Sequence, residues 1–200
     1  MNNYFLGIIL QPIGIVVFLY ITWRRLKEDY LSSQIFNLLF TNILIILASI
    51  IVTNYFLRDY IFWAFLIGFL IGSVFASIKF GLKFIEVIEA EVFAILFYFT
   101  IIFLRFIPLG SVNELLLLAT FVLLIPIFIM VERNYKNFAW YRSGRRGFTS
   151  MFIIGLFFLI RSLIALINPS MVFLLLDYDP IISGIISFVS FSIIFYLGRK

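Results

Sequence analysis

Seven long apolar runs, each bounded by a short polar or basic stretch, limit this chain more than any other feature. They fall near Tyr4–Trp23, Gln34–Leu57, Tyr60–Ile78, Val87–Leu109, Leu115–Val131, Phe148–Ile167 and Ile181–Leu197. A helix needs roughly 20 apolar residues to cross the hydrocarbon core of a bilayer. There, every backbone N–H and C=O must find its partner within the segment. Runs of this length therefore predict transmembrane α-helices. Seven of them occupy so much of the 200 residues that one domain, residues 1–200, is expected. The chain is 64% hydrophobic and 12% charged, whereas soluble domains are about half apolar and about a quarter charged. The expected fold class is all-α, a polytopic integral membrane protein of seven spans.

The basic residues orient the spans. Arg24, Arg25, Lys27, Lys79, Lys83, Arg133, Lys136, Arg142, Arg145, Arg146, Arg199 and Lys200 follow the odd-numbered runs, and Arg58 alone falls on the opposite side. Positive charge is retained on the cytoplasmic side, so the N-terminus is expected outside and the C-terminus in the cytoplasm. The same asymmetry accounts for the net charge of +5 without a nucleic-acid partner. No Lys or Arg precedes the first run, which argues against a cleaved signal peptide. Trp140 and Tyr141, in the long basic loop, suit the headgroup level.

The chain has no Cys and no His. This removes disulfides, thiolate metal sites, a Cys nucleophile and the usual neutral-pH general base. No cofactor and no metal site is expected.

Two arginines stand inside the apolar runs, where a charge costs ~2.5–3.5 kcal/mol even on the mild insertion scale. Arg105 lies near the outer end of the fourth run. Arg161 lies thirteen residues beyond Phe148, or roughly 20 Å along a helix. Glu114 starts the fifth run at a similar depth. Two guanidiniums and a carboxylate suit an anionic lipid headgroup, since guanidinium pairs bidentately with phosphate. The plainer alternatives are that Arg105 snorkels to the interface and that Arg161 pairs with Glu114. Glu91, Tyr98 and Arg105 recur every seven residues, on one helix face that is expected to look inward. Ala64, Gly68, Gly72 and Ala76 recur every four, a close-packing stripe expected to serve the bundle rather than a dimer. Gln11 sits mid-run and needs an interhelical partner, Pro126 suggests a kink, and Trp63 suggests an interface anchor.

Taken in order, these residues resemble the prolipoprotein diacylglyceryl transferase family. Gly14 and Arg24-Arg25 resemble its first span. Phe62-Trp63-Ala64-Phe65-Leu66-Ile67-Gly68 resembles its F-H-G-G-L-I-G signature. Glu91 and Arg105 have the spacing of its Asp and Arg. Glu114-Leu115-Leu116-Leu117 resembles the end of H-P-[ST]-Q-L-Y-E-L, and Gly147, Ser150 and Arg161 fit its G-x-x-S…Y-G-x-x-R helix. The resemblance implies seven spans in the bacterial cytoplasmic membrane and a site facing the outer leaflet. It implies transfer of diacylglyceryl from phosphatidylglycerol to the cysteine thiol of a lipoprotein precursor. Arg105 and Arg161 would bind the phosphate, Glu114 would orient one of them, and Trp63, Gln11, Tyr98 and Phe157 would line the cavity. Trp63 replaces the family's His, Ala64-Phe65 its two glycines and Phe157 its Tyr, so the equipment for proton transfer is missing. Two readings stay open: a divergent transferase, and a non-catalytic protein of the same fold that binds anionic lipid or a membrane partner.

Overall fold

The computed structural model describes residues 3–56, 60–109, 112–134, 148–169, 172 and 178–199. Arg58, Lys136, Trp140, Tyr141, Arg142, Arg145, Arg146, Gly147 and Lys200, all used above, lie outside the described residues. The described elements are helical: α1 (Asn3–Leu26), α2 (Ser32–Phe56), α3 (Ile61–Phe80), α4 (Phe84–Phe103), a 3-10 turn (Leu104–Leu109), α5 (Val112–Asn134), α6 (Phe148–Ile167) and α7 (Asp179–Arg199). All seven α-helices are long and apolar enough to cross a membrane. Large hydrophobic side chains stand exposed along them, among them Phe188 at 74% and Ile78 at 79%. Apolar surface on this scale is stable against lipid and not against water. The protein is therefore a multi-pass membrane protein.

The helices pack partly with chain neighbours and partly across the bundle. The most extensive contacts are α2 with α3, α6 with α7 and α1 with α4, and α4 also touches α3, α5 and α6. The α1 C-terminus meets the start of α4 and the end of α5, where Arg25 pairs with Glu132 and stacks on Phe93 and Phe128 at 4.3 and 5.1 Å. We call this the basic end. The α1 N-terminus meets the other end of α4.

Each pair packs for a reason legible in its side chains. In lipid, helices associate through close backbone approach and interhelical hydrogen bonds rather than through hydrophobic burial. The Ala64, Gly68, Gly72 and Ala76 stripe is buried, and it faces α2. A Cβ on Gly68 would lie 2.8 Å from the Ser49 Cβ and 3.1 Å from the Ile46 Cα, so only glycine fits. Ser49 Oγ donates to the Ala64 carbonyl at 2.7 Å. On α7, Ser183, Ser187 and Ser190 are buried, and Ser187 Oγ donates to the Gly155 carbonyl of α6 at 2.9 Å. Between α4, α5 and α6 the space is filled by phenylalanine rings. Phe121 stacks on Phe99, Phe103 and Phe157 at 5.0 to 5.9 Å between centroids.

The turns at the basic end are closed by side chains. Gly81, at φ 70°, ends α3 in the left-handed conformation that favours glycine. Gln34 accepts from the Leu31 N–H at 3.2 Å and donates to the Phe80 carbonyl at 3.0 Å. The Tyr30 hydroxyl accepts from the Lys83 N–H at 3.1 Å and donates to Glu86 at 2.6 Å. Burial, then the bond to Glu86, pushes the Tyr30 hydroxyl above its ordinary value.

Candidate functional site

Two charges in the bundle follow opposite logic. Arg161 is 5% exposed on α6 and forms an ion pair with Asp179, the fully buried first residue of α7. Its Nε lies 3.4 Å from Asp179 Oδ1, and the guanidinium sits 4.2 Å from the centre of the Phe62 ring. Ser183, one turn along α7, donates to the same carboxylate at 3.3 Å. A buried charge needs a partner and filled lone pairs, and the start of α7 supplies both. Asp179 is thus a carboxylate partner of Arg161 that the residues taken alone did not single out. Its signal was present in Asp179-Pro180, since Asp and Pro both favour a helix start.

Arg105 has no such partner among the described residues. It lies in the 3-10 turn that prolongs α4. The residue is half-buried, and its Nε is buried without a hydrogen-bond partner. Its guanidinium lies 4.5 Å from the Phe106 ring centre, and Nη1 would stand 3.6 Å from a Cβ on Gly7 of α1. Among the described residues it makes no ion pair. Arg105 thus lies on the α1 side of α4, whereas Arg161 faces α3, α5 and α7.

Three cavities bear on the expected site. A small one, about 30 Å³, is lined by Arg161, Phe157, Asn113, Thr120 and Val172. Arg161 and Phe157 both line it, and Asn113 adjoins Glu114 in the first turn of α5. An apolar crevice of about 120 Å³ between α1 and α2 has Phe65, Phe69, Ile95 and Tyr98 as its floor. Tyr98 therefore lines a cavity, though not the one with Arg161, and its ring would lie 3.1 Å from a Cβ on Gly14. The largest, about 600 Å³, opens at the basic end among Tyr20, Arg24, Arg25, Glu28, Glu86 and Phe93. None of the three is lined by both arginines.

Two expected lining residues are placed elsewhere. Gln11 is exposed on α1 and lines none of these cavities, because α1 turns its Gly14 and Phe18 face toward α4. Trp63 is not an outward anchor. Its ring stacks on Phe158 of α6 at 6.0 Å, and its indole Nε1 is buried without a partner.

The most deeply buried polar cluster lies nearer the basic end. Glu91 of α4, Asn42 of α2 and Ser73 of α3 each have no solvent exposure. Asn42 Nδ2 donates to Glu91 Oε1 at 2.7 Å and to Ser73 Oγ at 3.1 Å. Ser73 Oγ stands 2.6 Å from Glu91 Oε2 and 2.8 Å from the Phe69 carbonyl. Gly72 leaves the room that Asn42 occupies. Glu91 and Tyr98 do look into the bundle, as the seven-residue stripe suggests. Among the described residues, no three His, Cys, Asp or Glu side chains are grouped to hold a metal ion. No family model, no curated protein and no solved structure matches the chain.

Proposed function

We propose that this protein binds an anionic phospholipid through Arg105. The observation that carries the reading is a guanidinium at the end of a membrane span with a buried, unsatisfied Nε and no carboxylate partner among the described residues. A buried donor without a hydrogen-bond partner is costly. A lipid phosphate would relieve it with charge-assisted hydrogen bonds of about 1.5–3 kcal/mol. In the orientation that the basic residues favour, Arg105 faces the outer leaflet of a bacterial cytoplasmic membrane. Phosphatidylglycerol is the expected ligand.

The resemblance supports a lipid-binding fold and, more specifically, transfer of diacylglyceryl to a lipoprotein thiol. Geometry favours binding over transfer. Arg161 is already neutralised by Asp179, the two arginines line no common cavity, and Trp63 stands where the family has its His. The test uses the protein in nanodiscs that mix phosphatidylglycerol with phosphatidylcholine, with native mass spectrometry of the retained lipid. Wild type should enrich phosphatidylglycerol, and Arg105→Gln should lower the enrichment about 10-fold or more, as the loss of one charge-assisted contact implies. Equal enrichment in wild type and Arg105→Gln would refute binding at Arg105. Release of glycerol phosphate with a lipobox peptide would move the reading to the transferase.

A further inference from the structure

The Asn42, Ser73 and Glu91 cluster has one hydrogen too few if Glu91 is ionised. The Ser73 hydroxyl carries a single proton, yet its oxygen lies within hydrogen-bond distance of two acceptors, the Phe69 carbonyl at 2.8 Å and Glu91 Oε2 at 2.6 Å. Both amide protons of Asn42 are already used, one on Glu91 Oε1 and one on Ser73 Oγ. An ionised carboxylate would therefore face the hydroxyl oxygen with no hydrogen between them, or else leave the Phe69 contact empty. A protonated carboxyl resolves the count. Glu91 Oε2–H donates to Ser73 Oγ, Ser73 donates to Phe69, and Asn42 donates to both. The hydroxyl then accepts two bonds and gives one, its full capacity.

The surroundings agree. No Lys or Arg among the described residues pairs with Glu91, whose partners come from α2 and α3 and are neutral. The apolar cluster of this part of the bundle, Phe18 from α1, Leu38 and Leu39 from α2, Ala76 from α3 and Ala94 from α4, is uncharged. An isolated carboxylate in such a setting carries a large desolvation cost and neutralises instead. Asn42 turns its Nδ2 to Glu91 and Ser73 and its Oδ1 toward Gly72, so the amide serves the cluster as a donor only.

We infer that Glu91, Asn42 and Ser73 form a proton-binding site inside the bundle, with the proton resident on Glu91. The site is independent of Arg105, which lies fourteen residues further along the chain, in the turn beyond the end of α4, roughly 20 Å away by helix rise. It makes the α2, α3 and α4 junction depend on one proton rather than on an ion pair. No cavity described above opens onto Glu91, so exchange of that proton requires the junction to part.

Infrared spectroscopy of the whole protein at mildly alkaline pH tests this. Wild type should show a protonated-carboxyl C=O band that shifts in D2O. The band should vanish in Glu91→Gln, whose amide reproduces the donor and leaves stability close to wild type. Ser73→Ala should keep the band and raise its frequency, because the hydrogen bond from the carboxyl is gone, which keeps the test open if Glu91→Gln folds poorly. Absence of the band in wild type, or its persistence in Glu91→Gln, would overturn the inference. So would stabilisation by sodium that Glu91→Gln abolishes, since a metal cation would then occupy the proton's place.

Discussion

Removing Asp179 tests the division of labour between the two arginines. The side chains of Arg161 and Asp179 are 4% and 0% exposed, so solvent and salt screen the pair little. Asp179→Ala removes this carboxylate from a buried guanidinium. Breaking a buried pair from one side costs about 3–5 kcal/mol. The contact with Phe62 at 4.2 Å is present in both forms and leaves the difference unchanged, so the expected loss is at least the lower figure, ~3 kcal/mol. For a chain of this size each kcal/mol lowers Tm by about 2–4 °C, so a fall of roughly 6–12 °C is expected in detergent. Asp179→Leu combined with Arg161→Met removes both charges and should restore most of that loss, because well-packed apolar pairs replace buried ion pairs at little cost. Thermal unfolding of the wild type, single and double variants reads this directly. A single variant within about 1 kcal/mol of wild type would refute the claim that Asp179 is what lets Arg161 lie in the bundle. So would a double variant less stable than Asp179→Ala.

Two further outcomes follow from the packing and the turns. Gly68→Ala forces a Cβ against the Ser49 side chain and the Ile46 backbone and should cost ~1–3 kcal/mol by overpacking, whereas Gly81→Ala, with nothing within 4 Å of its Cβ, is strained only through φ; denaturant unfolding of the pair compares the two. The Tyr30 hydroxyl is held above its ordinary value, so its contribution is complete below the unfolded value of about 10 and fades as pH rises through the folded one. Tyr30→Phe should flatten that alkaline loss, read as melting temperature against pH.

The helices were legible because their cause is local. A run of twenty apolar residues satisfies its own backbone wherever it lies in the bilayer, and the structure shows a helix at each of the seven runs. Boundaries shifted where polar residues found distant partners. The fourth helix starts at Phe84 rather than Val87 and carries Glu86, Glu89 and Glu91 inside it. Nothing near Glu91 in sequence reveals Asn42 and Ser73, which lie 49 and 18 residues away. The stripe at Ala64, Gly68, Gly72 and Ala76 announced a close contact, and only the packed bundle names α2 as its partner.

The candidate site divides along the same line. Arg105 and Arg161 were visible as charges in apolar runs, because a charge in lipid is conspicuous on energetic grounds alone. Their placement at similar depths followed from helix rise. Depth along a helix is a property of one segment, but the direction a side chain faces is set by which helices pack on which. The pairing of α6 with α7 brings Asp179 to Arg161, and the pairing of α1 with α4 carries Arg105 to the other side. The sequence by itself thus determined a seven-helix membrane protein with two costly arginines. The tertiary structure alone decided that one is paired with Asp179 and the other has no ion-pair partner among the described residues, because partners separated along the chain meet only when the helices close on each other.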